Sequence, residues 1–297
     1  MGVKGGFTGK PKDLFLEVGG ERYSLVGKWH YKPSVLTSHY GLGNLGSGPN
    51  AFSSLLYNGM IAPLVGYNLK GVIWYQGENN TNRAYAYRNL FPLMIKDWRR
   101  QWGYDFPFIW VQLANFMAVD TQPKESEWAE LREAQNMALS LPVTGQVVIT
   151  DLGEAGDIHP KNKKDVGQRL AANALQVAYG RDSIASGPLY RSMELVPGKI
   201  ILSFANMGKG LQAKGNKYGY LNGFAIAGDD RKFVWAKAYI EGDKVVVFNE
   251  ALKRPVAVRY GWGNNPDDMN LINSAGYLAS PFRTDSWSGV TQPTLYK

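Results

Sequence analysis

The chain has 297 residues, of which 44% are hydrophobic, 20% charged and 13% aromatic, a globular composition that excludes disordered, fibrous and stapled-miniprotein classes. Its 33 Lys and Arg exceed its 25 Asp and Glu by 8 charges, but the basic residues are scattered and accompany no nucleic-acid module, so they read as a solvated surface. There is no cysteine, which excludes disulfides, thiolate metal sites and a cysteine nucleophile together.

The longest apolar stretch, 106–119, is interrupted by Pro107, Gln112 and Asn115. It is too short and too polar to cross a bilayer, so a soluble chain without a membrane partner is expected. The first residues, MGVKGGFTGK, hold no apolar core of signal-peptide type and read as an expression start or a truncated domain.

In chain order, residues 12–32 predict two short strands joined at Gly19 and Gly20, and residues 33–50, dense in Gly, Ser, Pro and Asn, predict a loop. AFSSLLYNGMIAPLVG, from Ala51, has apolar residues at helical spacing until Pro63 and Gly66 break it. VIWY at 72–75, FIWVQLA at 108–114 and QVVIT at 146–150 are continuous apolar runs that read as buried strands. Between and after them, 82–102, 127–141 and 163–179 carry helical periodicity, the first despite Pro92. Strand alternating with helix three times implies a parallel sheet, whose ligands gather at the carboxyl ends of the strands.

Beyond Gly180 the helical signal ends. KIILSFA (199–205), FAIAG (224–228), 233–249 and PVAVRYGW (255–262) alternate as in an antiparallel sandwich. The expected organisation is a short β-segment and glycine-rich loop at 1–50, an α/β domain at 51–180 and a β-sandwich domain at 181–297.

Three histidines are available as acid or base near neutrality: His30, His39 and His159. His30 lies in a Trp-His-Tyr strand and His39 in a glycine-rich loop, and both read as structural. His159, in DLGEAGDIHPKNK, follows a buried strand, with Asp157 two positions before it. A carboxylate that accepts an imidazole N–H fixes the tautomer and stabilises the imidazolium; a salt-bridged loop or a helix cap is the alternative for this pair. WYQGENN (74–80) gathers Gln76, Glu78, Asn79 and Asn80 at the end of the first strand, with Gly77 permitting close backbone approach. Such amides can hydrogen-bond an oxyanion forming on an acyl carbon, or merely satisfy turn backbone. Without H-x-x-x-H spacing, no metal is expected.

Several blocks together resemble the sialate O-acetylesterases, a branch of the SGNH hydrolases acting on O-acetylated sugars. They are GVIWYQGENN, Y-x-x-L-F-P-x-M-I-x-x-W-R from Tyr87, FPFIWVQLANF, WAELREAQ, TDLGEAGDIHPKNKKDVGQRLA, and the terminal RYGW and PFRTDSW. They run in order from about Leu14 to Trp287 and resemble the C-terminal two-thirds of such an enzyme.

The resemblance implies a flavodoxin-like three-layer SGNH hydrolase domain, here lacking its first strands, with a C-terminal antiparallel β-sandwich domain. It also implies a serine-esterase mechanism without cofactor or metal, acting on acetylated sialic acids or related glycans. Position by position, His159 becomes the base and Gln76, with Gly77, an oxyanion or substrate-positioning element, while Glu78 and Asn80 brace that loop. Where many SGNH enzymes have the orienting acid, three residues before the histidine, this sequence has Gly156. Asp157 takes the role, with Asp151 or Glu154 open.

The family's Gly-Gln-Ser-Asn-like nucleophile block does not occur in the sequence. Ser47, Ser53 and Ser54 are the only serines near the sheet's entrance, and Ser54 precedes a helix that packs. The nucleophile is therefore expected on an absent N-terminal segment, whether of the same or of a separate chain, and the resemblance implies a secreted or periplasmic enzyme. The competing reading is a non-catalytic carbohydrate-binding fragment or homologue that stacks sugars on Trp235, Tyr239, Tyr260, Trp262 and Trp287.

Overall fold

The computed structural model describes residues 10, 12, 14–27 and 54–292. His30, His39, Ser47 and Ser53 lie outside them, as does the glycine-rich loop. The chain divides into two units, residues 1–65 and 66–297.

In the first unit, β1 (Phe15–Val18) and β2 (Glu21–Ser24) form an antiparallel hairpin, turning at Gly19 and Gly20, whose positive φ values of 62° and 85° suit glycine. The helix expected from Ala51 is not a regular one. Ser54 adopts a φ of 66°, Tyr57–Ile61 form a π turn and Ala62–Leu64 a 3-10 turn. Pro63, which offers no backbone N–H, falls in the 3-10 turn and stops α-helical continuation.

In the second unit, β3 (Val72–Trp74), β4 (Phe108–Val111) and β5 (Thr144–Val147) form a parallel sheet in the order β3-β4-β5. The third strand thus begins two residues earlier than its apolar run suggested, and Val148, Ile149 and Thr150 continue beyond it as a buried loop. Successive residues of a strand face opposite ways, and β4 shows the consequence. Phe108 and Trp110 pack with Tyr87, Phe91 and Ile95 of α1 (Ala84–Trp102) and with Leu131 and Ala134 of α2 (Glu127–Met137). Ile109 and Val111 pack with Val147, Ile149 and Val166, the last from α3 (Lys163–Val177). Both sides of β4 are apolar because helices cover both, which is why its sequence shows no alternation. Tyr87, Phe91 and Ile95 recur every four residues on one helix face, and burying each stabilises by roughly 2–3 kcal/mol, which carries α1 through Pro92. Within the described residues β3 is paired along one edge only, and Ile73 on it is 66% exposed.

After α3 the chain is antiparallel. One sheet has the order β6-β7-β13-β12-β9, formed by Leu189–Val196, Lys199–Ala205, Lys244–Phe248, Lys237–Glu241 and Tyr220–Leu221. A second has the order β11-β10-β14-β16, formed by Phe233–Trp235, Phe224–Ala227, Ala257–Tyr260 and Phe282–Arg283. A short pair joins β8 (Leu211–Ala213) to β15 (Leu271–Asn273). Ile200, Leu202, Val245 and Val247 of the first sheet share one core with Phe224, Ile226, Val258 and Tyr260 of the second. The segment 233–249 is three strands, not one, because it turns at Ala236 and again at Gly242.

No helix among the described residues is long and apolar enough to cross a membrane.

Candidate active site

The carboxyl ends of β3, β4 and β5 each run into a polar loop, and side chains of α2 hold two of these loops together. Trp128, Arg132 and Gln135 lie at i, i+4 and i+7, so they share one face of α2. The Trp128 Nε1–H donates to the Ala114 carbonyl at 2.8 Å. Arg132 donates to the carbonyls of Leu113 (2.9 Å), Ala114 (2.7 Å), Gly263 (2.7 Å) and Asn264 (3.0 Å). The Gln135 amide accepts from the Leu113 N–H at 2.9 Å and donates to the Gln76 carbonyl at 3.2 Å. Arg132 is fully buried with these carbonyls as its partners, and burial pulls its guanidinium down to about 9. It remains charged at neutral pH.

In the loop after β3, Gly77 has a φ of 151°. A Cβ there would stand 3.0 Å from the Leu131 side chain and 3.1 Å from the Gln135 amide, so only glycine lets this loop lie against α2. The Gln76 amide is held at both ends: its Nε2 donates to Asn80 Oδ1 at 2.7 Å, and its Oε1 accepts from the Tyr87 hydroxyl at 2.9 Å. One Nε2 hydrogen remains free to point elsewhere. Glu78 opens the 3-10 segment Glu78–Arg83 that contains Asn80. Burial, then the charge of Glu78, pushes the Tyr75 phenol up to about 12, and burial raises Tyr87 as well. Both hydroxyls stay protonated at neutral pH and can donate.

The loop after β5 is pinned at three places. Arg169 of α3 donates to the Val148 carbonyl (2.7 Å) and makes a two-pronged ion pair with Asp151 (2.7 and 2.8 Å). The Gly153 N–H donates to Asn115 Oδ1 at 2.7 Å, and the Met117 N–H donates to the Ala155 carbonyl at 3.0 Å. Asn115 in turn donates to Asn265 at 2.8 Å. Loop β3 is thus tied to loop β4 through Gln135, and loop β4 to loop β5 through Asn115. The Lys163 ammonium, at the start of α3, lies 4.7 Å over the Tyr75 ring, a direct contact between the first loop and the helix that follows the third.

His159 sits on this third loop with its side chain 88% exposed. Asp157 accepts the His159 backbone N–H at 2.9 Å, while its Oδ1 is 3.9 Å from the imidazole Nδ1, beyond hydrogen-bond range. Asp157 therefore orders the backbone of the His159 turn directly. Asp151 is committed to Arg169 and Lys214, and Glu154 pairs with Lys161 at 3.1 Å. Gln76, Gly77 and Asn80 form one cluster with Tyr87 and Gln135; His159 and Asp157 form a second, on the loop that Asn115 holds. No hydrogen bond joins the two clusters directly among the described residues. The bracing residues Gln135, Asn115 and Arg132 escaped a reading from chemistry alone, and the signal that could have found Gln135 and Arg132 is their spacing with Trp128 on one helix face.

The comparisons with known proteins concern the family of the chain. Residues 47–176 match the family model described as "Carbohydrate esterase, sialic acid-specific acetylesterase". The chain carries a domain of that carbohydrate esterase family. The sialate O-acetylesterase of Mus musculus is 31% identical over 256 residues, covering 77% of this chain and 46% of that protein. That of Homo sapiens is 31% identical over 278 residues, covering 82% and 51%. The crystal structure of a carbohydrate acetylesterase from Xanthomonas citri superposes with a TM-score of 0.74 at 51% identity, covering 78% of this chain and 54% of that one. The chain spans about half the length of the curated relatives it matches.

Proposed function

We propose that this chain is the base-bearing part of a carbohydrate O-acetylesterase working by a serine-esterase mechanism. The observation that supports it most is the bracing of the three strand-end loops through Gln135 and Asn115, since the loops that carry Gln76 and His159 both follow carboxyl ends of one parallel sheet. In this reading the His159 Nε2 takes the proton of a serine hydroxyl as its oxygen attacks the acetyl carbon. The free Nε2–H of Gln76 stabilises the negative charge gathering on the carbonyl oxygen. The protonated imidazole then gives its proton to the departing sugar oxygen, and a water molecule repeats the sequence to release acetate. Asp157 is the orienting acid once its carboxylate closes the 3.9 Å separation, an approach that free enzymes often complete only with substrate bound. Gly77 lets the Gln76 loop approach α2, and Glu78 and Asn80 keep that loop in place.

The nucleophile is assigned to a segment bearing a Gly-Gln-Ser-Asn-like block outside this sequence, either upstream or as a separate chain. The unpaired edge of β3 with its exposed Ile73 suits the added strands. We read the whole as a flavodoxin-like three-layer domain over 51–180 with a β-sandwich over 181–297, and, as the family resemblance implies, as a secreted or periplasmic enzyme. Aryl-acetate hydrolysis tests the reading. The chain alone is expected to turn over negligibly and, joined to a segment with the serine block, to hydrolyse. In that complete protein His159→Ala reduces kcat by about 10³-fold or more. A His159→Ala enzyme with the unaltered rate refutes it.

A further inference from the structure

A cleft of about 340 Å³ lies between the loop after β4 and the antiparallel sheets. Six residues give it its chemistry: Asp120, Asn222, Trp235, Trp262, Asn265 and Asp268. Trp235 is 42% exposed, yet its indole N–H is anchored to the Thr121 carbonyl at 3.0 Å, so a broad apolar face is held rigid beside the opening. Trp262 is buried, its ring stacked against the guanidinium groups of Arg259 (4.9 Å) and Arg283 (5.2 Å), and its Nε1 has no hydrogen-bond partner among the described residues.

The carboxylates are unequal. Asp120 pairs with Lys124 at 2.5 Å, and Lys124 stands outside the lining. Asp268 makes no ion pair among the described residues; burial, reinforced by Asp267, raises its carboxyl above the ordinary aspartate range, although its own backbone N–H donates to it. No Lys or Arg lines the cleft. Asn265 also connects it to the candidate active site: it accepts from Asn115, whose own oxygen holds Gly153 in the His159 loop, and it donates to the Met117 carbonyl at 2.7 Å.

A rigid aromatic face, carboxylate acceptors and a free amide form a set that suits a polyol. Hydroxyls donate to Asp268 and Asp120 and accept from Asn222, while the apolar ring face of a sugar lies on Trp235. An acidic sugar fits badly, because its carboxylate would be desolvated beside Asp268 with no cation lining the site. We propose that this cleft is a subsite for an uncharged sugar residue of the glycan, adjacent to the acetylated one. The proposal rests on the carbohydrate-esterase reading for its role in substrate choice, though not for the binding itself.

Acetyl-free probes separate the two ideas. The whole 297-residue chain is titrated with neutral tetrasaccharides of xylose, glucose or mannose and with a sialic acid trimer, followed by tryptophan fluorescence and calorimetry. At least one neutral probe is expected to bind with a Kd on the order of 0.1–10 mM, at least about tenfold tighter than the sialic acid trimer. Trp235→Ala weakens the neutral probe by about tenfold or more at an unchanged thermal midpoint. Asp268→Asn keeps the shape and removes the charge, and it narrows the discrimination against the acidic trimer by about fivefold or more. Equal or tighter binding of the sialic acid trimer, full binding by Trp235→Ala, unchanged discrimination in Asp268→Asn, or no binding of any neutral probe overturns the proposal. Because no probe carries an acetyl group, these outcomes are independent of whether the esterase reading survives.

Discussion

The Asp151 carboxyl is under two opposing influences. Burial would raise it, but the hydrogen bonds and charge of Arg169, aided by Lys214, outweigh burial and hold it below the ordinary aspartate value. A carboxylate depressed in this way contributes stability that is fully present above the unfolded pKa of about 4 and is lost as pH falls through its lower folded value. Asp151→Asn is therefore expected to cost on the order of 2 kcal/mol at pH 7, and the gap between the two proteins in urea unfolding closes below about pH 4. A gap that is constant from pH 7 to pH 3 contradicts the assignment. Asp151 is engaged by Arg169, while Lys161 pairs with Glu154 at 3.1 Å and with Asp157 at 3.8 Å, and Asp157 stands 3.9 Å from the imidazole.

At the scale of elements, α2 works as a clamp. Its apolar face packs Leu131 and Ala134 into the core shared with α1, while Trp128 and Arg132 donate to the backbone beyond β4, and Gln135 accepts from that backbone at Leu113 and donates to the Gln76 carbonyl beyond β3. Ser126 caps its first turn, accepting from the Ala129 N–H at 3.0 Å, with Glu127 and Glu130 in the same turn complementing the helix dipole. The loop after β5 depends on closeness instead. A Cβ on Gly153 would fall 2.1 Å from the Asn115 carbonyl oxygen, a backbone atom that cannot move aside alone. Gly153→Ala should displace the His159 loop and destabilise by about 2 kcal/mol, lowering the thermal midpoint by roughly 4–8 °C. Amide exchange across 151–159 checks the first effect and calorimetry the second; an unaltered midpoint with unaltered exchange contradicts it. By contrast, residues 54–66 show that helical spacing alone does not make a regular helix: with Pro63 among them and Ser54 at positive φ, 57–64 form π and 3-10 turns.

Across the larger unit, the α/β part and the antiparallel part are joined by a chain of alternating charges. Glu125 and Asp285 both hold Arg259, Asp285 also holds Arg283, Arg283 reaches Glu133 of α2, and Glu133 reaches Arg88 of α1. Asp285 is almost fully buried, with side-chain exposure of 1%, and serves two arginines. Removing it as Asp285→Ala leaves both guanidinium groups buried without that partner, and the expected cost is about 3–5 kcal/mol in urea unfolding. A change under about 1 kcal/mol shows that the chain of charges is incidental to stability. The same network gives the terminal RYGW and PFRTDSW blocks a structural role. Tyr260 and Phe282 fill the core, Arg283 fastens it to α2 through Glu133 and Arg259 to the segment before α2 through Glu125, and the aromatic residues weighed as a sugar platform divide between core and surface.

The sequence by itself determined the alternation of buried strand and helix through the first half, the change to antiparallel pairing after Gly180 and the family blocks around Gln76 and His159. These follow from local periodicity, residue type and spacing, which act along the chain. The tertiary structure decided which groups meet. The spacing of Gln135 from Gln76, of Asn115 from Gly153 and of Asp285 from Glu133 carries no local signal, because each contact closes only when separate strands and helices pack and their buried polar groups must find partners. The cleft beside Trp235 and Asp268 has the same origin: its walls come from segments more than a hundred residues apart, and packing alone brings them to one opening.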